Sequence, residues 1–251
     1  MRLPRRIGHG DTAGLVDHLG ELRARIVISL ASLVVGSAVA FVFHQRLIEW
    51  LNAPLPKGRQ PVTLGVAEPF TTSLKVSIYA GLALALPVIL WQVWSFLAPA
   101  VDRKTERALG GFVVFATVLF AGGVAFGYVL ALPAAVHFLT NFDASIYDIQ
   151  VRASSYYSFA LMVLLSVGVV FELPVFILAL VRLGVTSAAK LRRSRRIGYF
   201  AMAALAVALP GVDPVTTAME MLPLLVLYEG SIWLSVVFER KWRGAVVPNA
   251  G

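Results

Sequence analysis

Leu15-Val16-Asp17-His18-Leu19-Gly20-Glu21-Leu22-Arg23-Ala24-Arg25 stands directly before the apolar run 26–43. Leu15, Leu19, Leu22 and Ile26 recur at helical spacing and form one apolar stripe. Asp17, Glu21 and Arg25 follow one another at i, i+4 on a separate, charged face. The pattern predicts a short helix over about 12–25 that lies in the plane of a membrane surface. Its acidic face, Glu21 above all, is the expected place of contact with a ligand. The rest of the chain reads as a frame holding this helix beside one later loop.

Composition supports that frame being embedded in lipid. Of 251 residues, 58% are hydrophobic and 14% charged, against roughly 25% charged in a soluble domain. The mean hydropathy is +0.78. With no cysteine, disulfides, thiolate metal sites and cysteine nucleophiles are excluded. The first 25 residues are polar and arginine-rich, so the run 26–43 is expected to be a retained anchor, not a cleaved leader. A net charge of +8 is explained by basic loops at a membrane, with no nucleic-acid partner expected.

The chain reads as a single membrane domain, 1–251, that is all-α. Six transmembrane segments are expected at about 26–43, 70–97, 109–136, 153–181, 197–211 and 215–238. The 22 Lys and Arg are concentrated in alternate loops and at both ends, leaving only Arg46, Lys57, Arg59, Lys75 and Arg152 on the other side. That asymmetry predicts cytoplasmic N and C termini. Arg192-Arg193-Ser194-Arg195-Arg196 is the densest basic cluster. Either it binds anionic lipid or an acidic partner, or, more simply, it anchors the topology. Pro54, Pro56, Pro61 and Pro69 make the outer loop 44–69 irregular, with a turn or two of helix. Gly123 and Gly127 read as close helix packing.

The last two segments are short. Residues 197–211 give about 22 Å of helix for a hydrocarbon core of about 30 Å, so local thinning of the bilayer is expected. Leu209-Pro210-Gly211-Val212-Asp213-Pro214 is a sharp turn, and the sixth segment resumes at once, its apolar run interrupted by Glu220, Pro223 and Glu229.

Two further acidic positions, Glu106 and Glu172, carry candidate chemistry. In the loop that runs from Phe96 through Pro99 to Arg107, Asp102 is a candidate N-cap and Glu106 falls in the first turn of the third segment. Glu172, in Phe171-Glu172-Leu173-Pro174, lies inside the fourth segment, where an ionisable residue costs about 2.5–3.5 kcal/mol on insertion scales and marks function. Glu220 has no assigned role. His9, His18, His44 and His137 make no metal-ligand spacing, and no nucleophile elbow, P-loop or zinc-protease pattern occurs. No enzyme activity and no cofactor are expected.

Six stretches together resemble the TatC family, the multispanning receptor of the twin-arginine protein translocase. His18-Leu19-Gly20-Glu21-Leu22-Arg23-Ala24-Arg25 is similar to its HLxELRxR motif, and Asn52-Ala53-Pro54-Leu55 to its first outer loop. Trp94-Ser95-Phe96-Leu97-Ala98-Pro99-Ala100 with Glu106-Arg107 resembles the first inner loop. Phe171-Glu172-Leu173-Pro174, Pro210-Gly211-Val212-Asp213 and Leu227-Tyr228-Glu229 match the FExP, the turn before span six and the LYE. The chain departs from the pattern after Asp213, where Thr216-Thr217 replaces the Ser-Gln of many relatives.

The resemblance implies a concave bundle of six transmembrane helices, the last two short. It implies that Glu21 and Glu106 bind the paired arginines of signal peptides on folded cargo, helped by Arg23, Phe96 and Pro54. Glu172, with Asp213 and Thr217, is implied as an intramembrane polar site that docks TatA- and TatB-type single-span proteins. Homo-oligomers within a larger complex, a prokaryotic plasma membrane, and export driven by the proton-motive force follow from the same resemblance. A guanidinium is a planar fork of donors that stays charged, so each carboxylate can take one arginine by paired hydrogen bonds. The alternative from another class is a small-solute transporter or channel built around Glu172. Against it, no internal repeat is visible.

Overall fold

The structure, a computed structural model, describes residues 15–56, 58, 60–97, 103–147, 149–209 and 213–244. Among these the regular structure is helical, apart from an isolated parallel bridge between Val62 and Arg152. The helices are α1 (Leu15–Val42), α2 (His44–Asn52), α3 (Glu68–Leu97), α4 (Arg103–Phe126), α5 (Leu132–Asn141), α6 (Ala153–Val170), α7 (Leu173–Arg182), α8 (Ala188–Arg193), α9 (Arg195–Ala208) and α10 (Pro214–Gly244). Five stretches among the described residues are long and apolar enough to cross a membrane: His18–Val42, Glu68–Phe96, Gly110–Asn141, Ala153–Arg182 and Pro214–Glu239. Helix α9 is the short fifth segment of the sequence reading. Its 14 residues reach about 21 Å.

One expectation is corrected at the start of the chain. Instead of a separate helix at 12–25, residues 15–42 form one α-helix of 28 residues; residues 12–14 lie outside the described ones. The stretch contains no proline, and Gly20 sits in open space. The Arg25 side chain reaches back one turn to Glu21, which reinforces the junction where a break was expected.

The chain divides into two compact units. The first comprises the described residues of Met1–Ala53, Gln60–Val118 and Val151–Leu161. Its centre is the contact of α1 with α3, which touch backbone to backbone. A Cβ on Gly36 would fall 2.6 Å from the Gly81 carbonyl oxygen, and one on Gly81 would collide with the backbone of Ser37. Small residues permit this approach. At the other end of α3, the Glu68 carboxylate accepts from the amides of Leu64 (2.9 Å), Gly65 (3.2 Å) and Ser154 (3.1 Å) and pairs with Arg152 Nε at 3.1 Å. It thereby fastens the proline-rich loop to the start of α6. Helix α2 is pinned to α6 too: Tyr156 donates to the Leu51 carbonyl (2.5 Å) and Tyr157 to Asn52 Oδ1 (2.7 Å).

The second unit comprises 54–59, 119–150 and 162–251. Between α4 and α5 the helix widens to a π-turn over Gly127–Ala131. Pro133 lacks the amide that would continue the i→i−4 ladder, and its ring crowds the carbonyl one turn back. Pro174 acts alike on the fourth segment, which breaks into α6 and α7 at Phe171 and Glu172. Gly123 packs against α6 as expected: a Cβ there would lie 2.9 Å from the Gly168 Cα and 2.8 Å from the Phe171 Cβ. Helix α10 runs unbroken for 31 residues through Pro223. Its buried face, with Leu224, Tyr228 and Ile232, packs on Val170, Ile177 and Met202.

Candidate functional site

Glu21 sits on α1, and two neighbours, Arg25 and His18, meet its carboxylate in the first unit. Arg25 NH2 donates to Glu21 Oε1, while Arg25 NH1 donates to the Gln92 carbonyl of α3 at 3.0 Å. Both side chains are mostly shielded from solvent, each 17% exposed. The His18 ring stacks on Phe96 of α3, centroids 4.4 Å apart and planes at 17°. Its Nδ1 lies 4.0 Å from Glu21 Oε2. The Arg25 guanidinium also lies over the Phe96 ring, 6.0 Å from its centroid.

The two oxygens of Glu21 are therefore unequal. Oε1 is held by Arg25. Oε2 is buried and has no hydrogen-bond partner among the described residues. A shielded acceptor without a donor is costly, on the order of 1–3 kcal/mol or more for a charged group.

The other residues expected at this site fall as follows. Arg23 is exposed on α1. Glu106 belongs to the first turn of α4, but its side chain lies outside the described residues, as do Pro99 and the candidate cap Asp102. Pro54 is half-buried in the turn just beyond α2, next to the end of that helix which Tyr156 and Tyr157 hold.

In the second unit Glu172 is half-buried at the α6–α7 break, and neither of its oxygens has a hydrogen-bond partner among the described residues. Asp213 is buried and caps α10: its carboxylate accepts from the Thr216 amide at 2.8 Å and the Thr216 hydroxyl at 2.5 Å. Thr217 donates to the Asp213 carbonyl at 3.0 Å. No hydrogen bond joins Glu172 to Asp213 or Thr217. Glu220, on α10, is only 2% exposed, and both its oxygens lack hydrogen-bond partners among the described residues.

Sequence reasoning missed the Glu68–Arg152 pair and the Arg25–Gln92 contact. An acid directly before Pro69 at a helix start is the one signal for the first. The second joins residues 67 positions apart and leaves no local trace. Among the described residues no group of His, Cys, Asp and Glu could hold a metal ion.

The family model for the Sec-independent protein translocase protein (TatC) matches residues 17–223. The chain belongs to the TatC family. It is 37% identical over 235 residues to the Sec-independent protein translocase protein TatC of Deinococcus radiodurans, covering 90% of this chain and 87% of that protein. It is 38% identical over 224 residues to the chloroplastic TATC of Arabidopsis thaliana, covering 88% of this chain and 65% of that one. A crystal structure of the twin-arginine translocase receptor TatC in DDM superposes with a TM-score of 0.77 at 32% identity, over 87% of this chain and 99% of that chain. The all-α membrane fold is thus that of TatC, and the chain is a multi-pass membrane protein of a protein translocase. The TatC match takes in Glu21, Phe96, Glu106, Glu172, Asp213 and Thr217 together.

Proposed function

We propose that this chain is the signal-peptide receptor and core subunit of a Sec-independent twin-arginine translocase. It exports folded proteins across a prokaryotic plasma membrane, with both termini cytoplasmic and the proton-motive force as the driver. The observation that carries the reading is Glu21 Oε2: shielded, adjoining the His18–Phe96 stack, and without a donor. A signal arginine supplies what is missing there, since its guanidinium donates in a plane and stacks on aromatic faces. Glu106 takes the second arginine in this reading, with Arg23 and Pro54 shaping the surroundings.

Glu172, with Asp213 and Thr217 nearby in sequence to the short α9–α10 turn, is the docking position for TatA- and TatB-type single-span proteins. Its support is a half-buried carboxylate in an apolar segment with both oxygens unpartnered. Several copies act together in the assembled translocase. A solute transporter built around Glu172 lacks support from the family match.

The deciding experiment is site-specific crosslinking from position 21 or 106 to a tagged twin-arginine signal peptide. Crosslinks in the wild type, abolished by Glu21→Ala and by Glu106→Ala in protein that still inserts, are expected. Charge-assisted hydrogen bonds contribute about 1.5–3 kcal/mol each, enough to reduce occupancy well over tenfold. Unchanged crosslinking in both variants would remove the receptor reading.

A further inference from the structure

The basic cluster on α8 and α9 is not used by the receptor reading, and its surroundings are specific. Ser194 joins the two helices. Its amide donates to the Lys190 carbonyl (3.0 Å) and its carbonyl accepts from the Gly198 amide (3.0 Å), so α9 follows α8 after this single residue. Arg195 is taken up internally: its NH2 donates to Glu229 at 2.9 Å, and Tyr199 donates to the other oxygen of the same carboxylate. Lys190, Arg192, Arg193 and Arg196 stay exposed, and no described carboxylate pairs with them. Arg192 and Arg196 are one turn apart. Like charges at i, i+4 repel and weaken a helix unless an anion lies between them.

Each of two exposed arginines has a large exposed apolar residue four positions further along the chain, on α9. Arg193 is followed by Ile197, 71% exposed, and Arg196 by Phe200, 76% exposed. Arg192 lies over the ring of Trp233 on α10, 5.7 Å from its centroid, and that tryptophan is itself exposed. Exposed cations, a tryptophan of α10 beside one of them and apolar side chains further along α9 match a ligand that is anionic at one end and hydrocarbon at the other. A soluble acidic peptide would leave Ile197 and Phe200 uncovered.

We propose that α8 and the first turns of α9 hold an anionic phospholipid. Its phosphate sits on Arg192, Arg193 and Arg196, and its acyl chains run along Ile197, Phe200 and Trp233. Held there, the lipid relieves the repulsion between the arginines and seals the end of a helix too short for the bilayer.

The test is native mass spectrometry of the purified full chain, released from nanodiscs of equal parts phosphatidylglycerol and phosphatidylcholine. Selective retention of phosphatidylglycerol by the wild type is expected, falling roughly fivefold for each arginine removed in R192Q, R193Q and R196Q. Equal retention of both lipids by the wild type overturns the proposal without any variant. Selective retention that survives in the triple variant overturns the assignment to these residues. A photoreactive residue at position 200 provides a second readout in the otherwise unaltered protein. It should label phosphatidylglycerol over phosphatidylcholine, and indifferent labelling counts equally against the site.

Discussion

Arg25 holds Glu21 by one carboxylate oxygen and the Gln92 carbonyl of α3 by its other terminal nitrogen. The pair is therefore a tie between helices as well as a salt bridge within one. Arg25→Lys keeps the charge but gives up the two-pronged reach, since an ammonium on a flexible stem is a point donor. We expect this variant to insert and to bind a twin-arginine signal peptide several-fold more weakly. Arg25→Gln should weaken it further. Titration of a labelled signal peptide against protein in detergent measures both, and affinities equal to the wild type would show that Glu21 does not depend on its neighbour.

The His18–Phe96 stack predicts selectivity. A guanidinium approaching Glu21 Oε2 meets the imidazole 4.0 Å away and can stack its plane on the ring. An ammonium gains less from the planar surface. His18→Ala should therefore lower affinity for a twin-arginine peptide by roughly threefold to tenfold and leave a twin-lysine peptide nearly unchanged. The ratio of the two affinities is the readout. A uniform loss for both peptides would mean that His18 only supports the fold.

Glu172 is separated from Glu21 by function in the proposal, and a variant should separate them too. In Glu172→Ala, signal-peptide crosslinking from position 21 should persist while copurification of TatA- or TatB-type partners weakens. Removing a buried, unpartnered carboxyl relieves a cost at the site, so the isolated subunit should be no less stable. Copurification at the wild-type level would count against docking there.

Much of this architecture is legible in the sequence because the segments are long and apolar; where they break is less so, since the helix widens before Pro133 and breaks at Pro174 but runs on through Pro223. The N-terminal helix was misjudged for a physical reason. Amphipathic spacing at 15–25 describes which face is polar, and says nothing about whether the backbone bends before residue 26. The acidic face was legible at Glu21, but the inequality of its two oxygens depends on Gln92 and Phe96, brought in by tertiary contact. Glu68 was passed over since its partners, Arg152 and Ser154, are more than eighty positions away. Glu220 stood out as a charge, and only the fold shows it fully enclosed.

The meeting of α1 and α3 carries the last prediction, because the receptor face is built from both helices. At Gly81 any side chain would drive into the Ser37 backbone, which cannot yield as a flexible side chain could. Overpacking of this kind costs about 1–3 kcal/mol, occasionally more. Gly122, in α4, has nothing within 4 Å of a built Cβ, and replacing a mid-helix glycine by alanine favours the helix by roughly 0.5–1 kcal/mol. Gly81→Leu should accordingly lower the melting temperature of the purified protein by several degrees and weaken signal-peptide binding, since Gln92 and Phe96 move with α3. Gly122→Ala should leave the melting temperature the same or slightly higher, with binding intact. Equal thermal shifts in the two variants would mean that the close approach at Gly81 does not set the packing of α1 on α3.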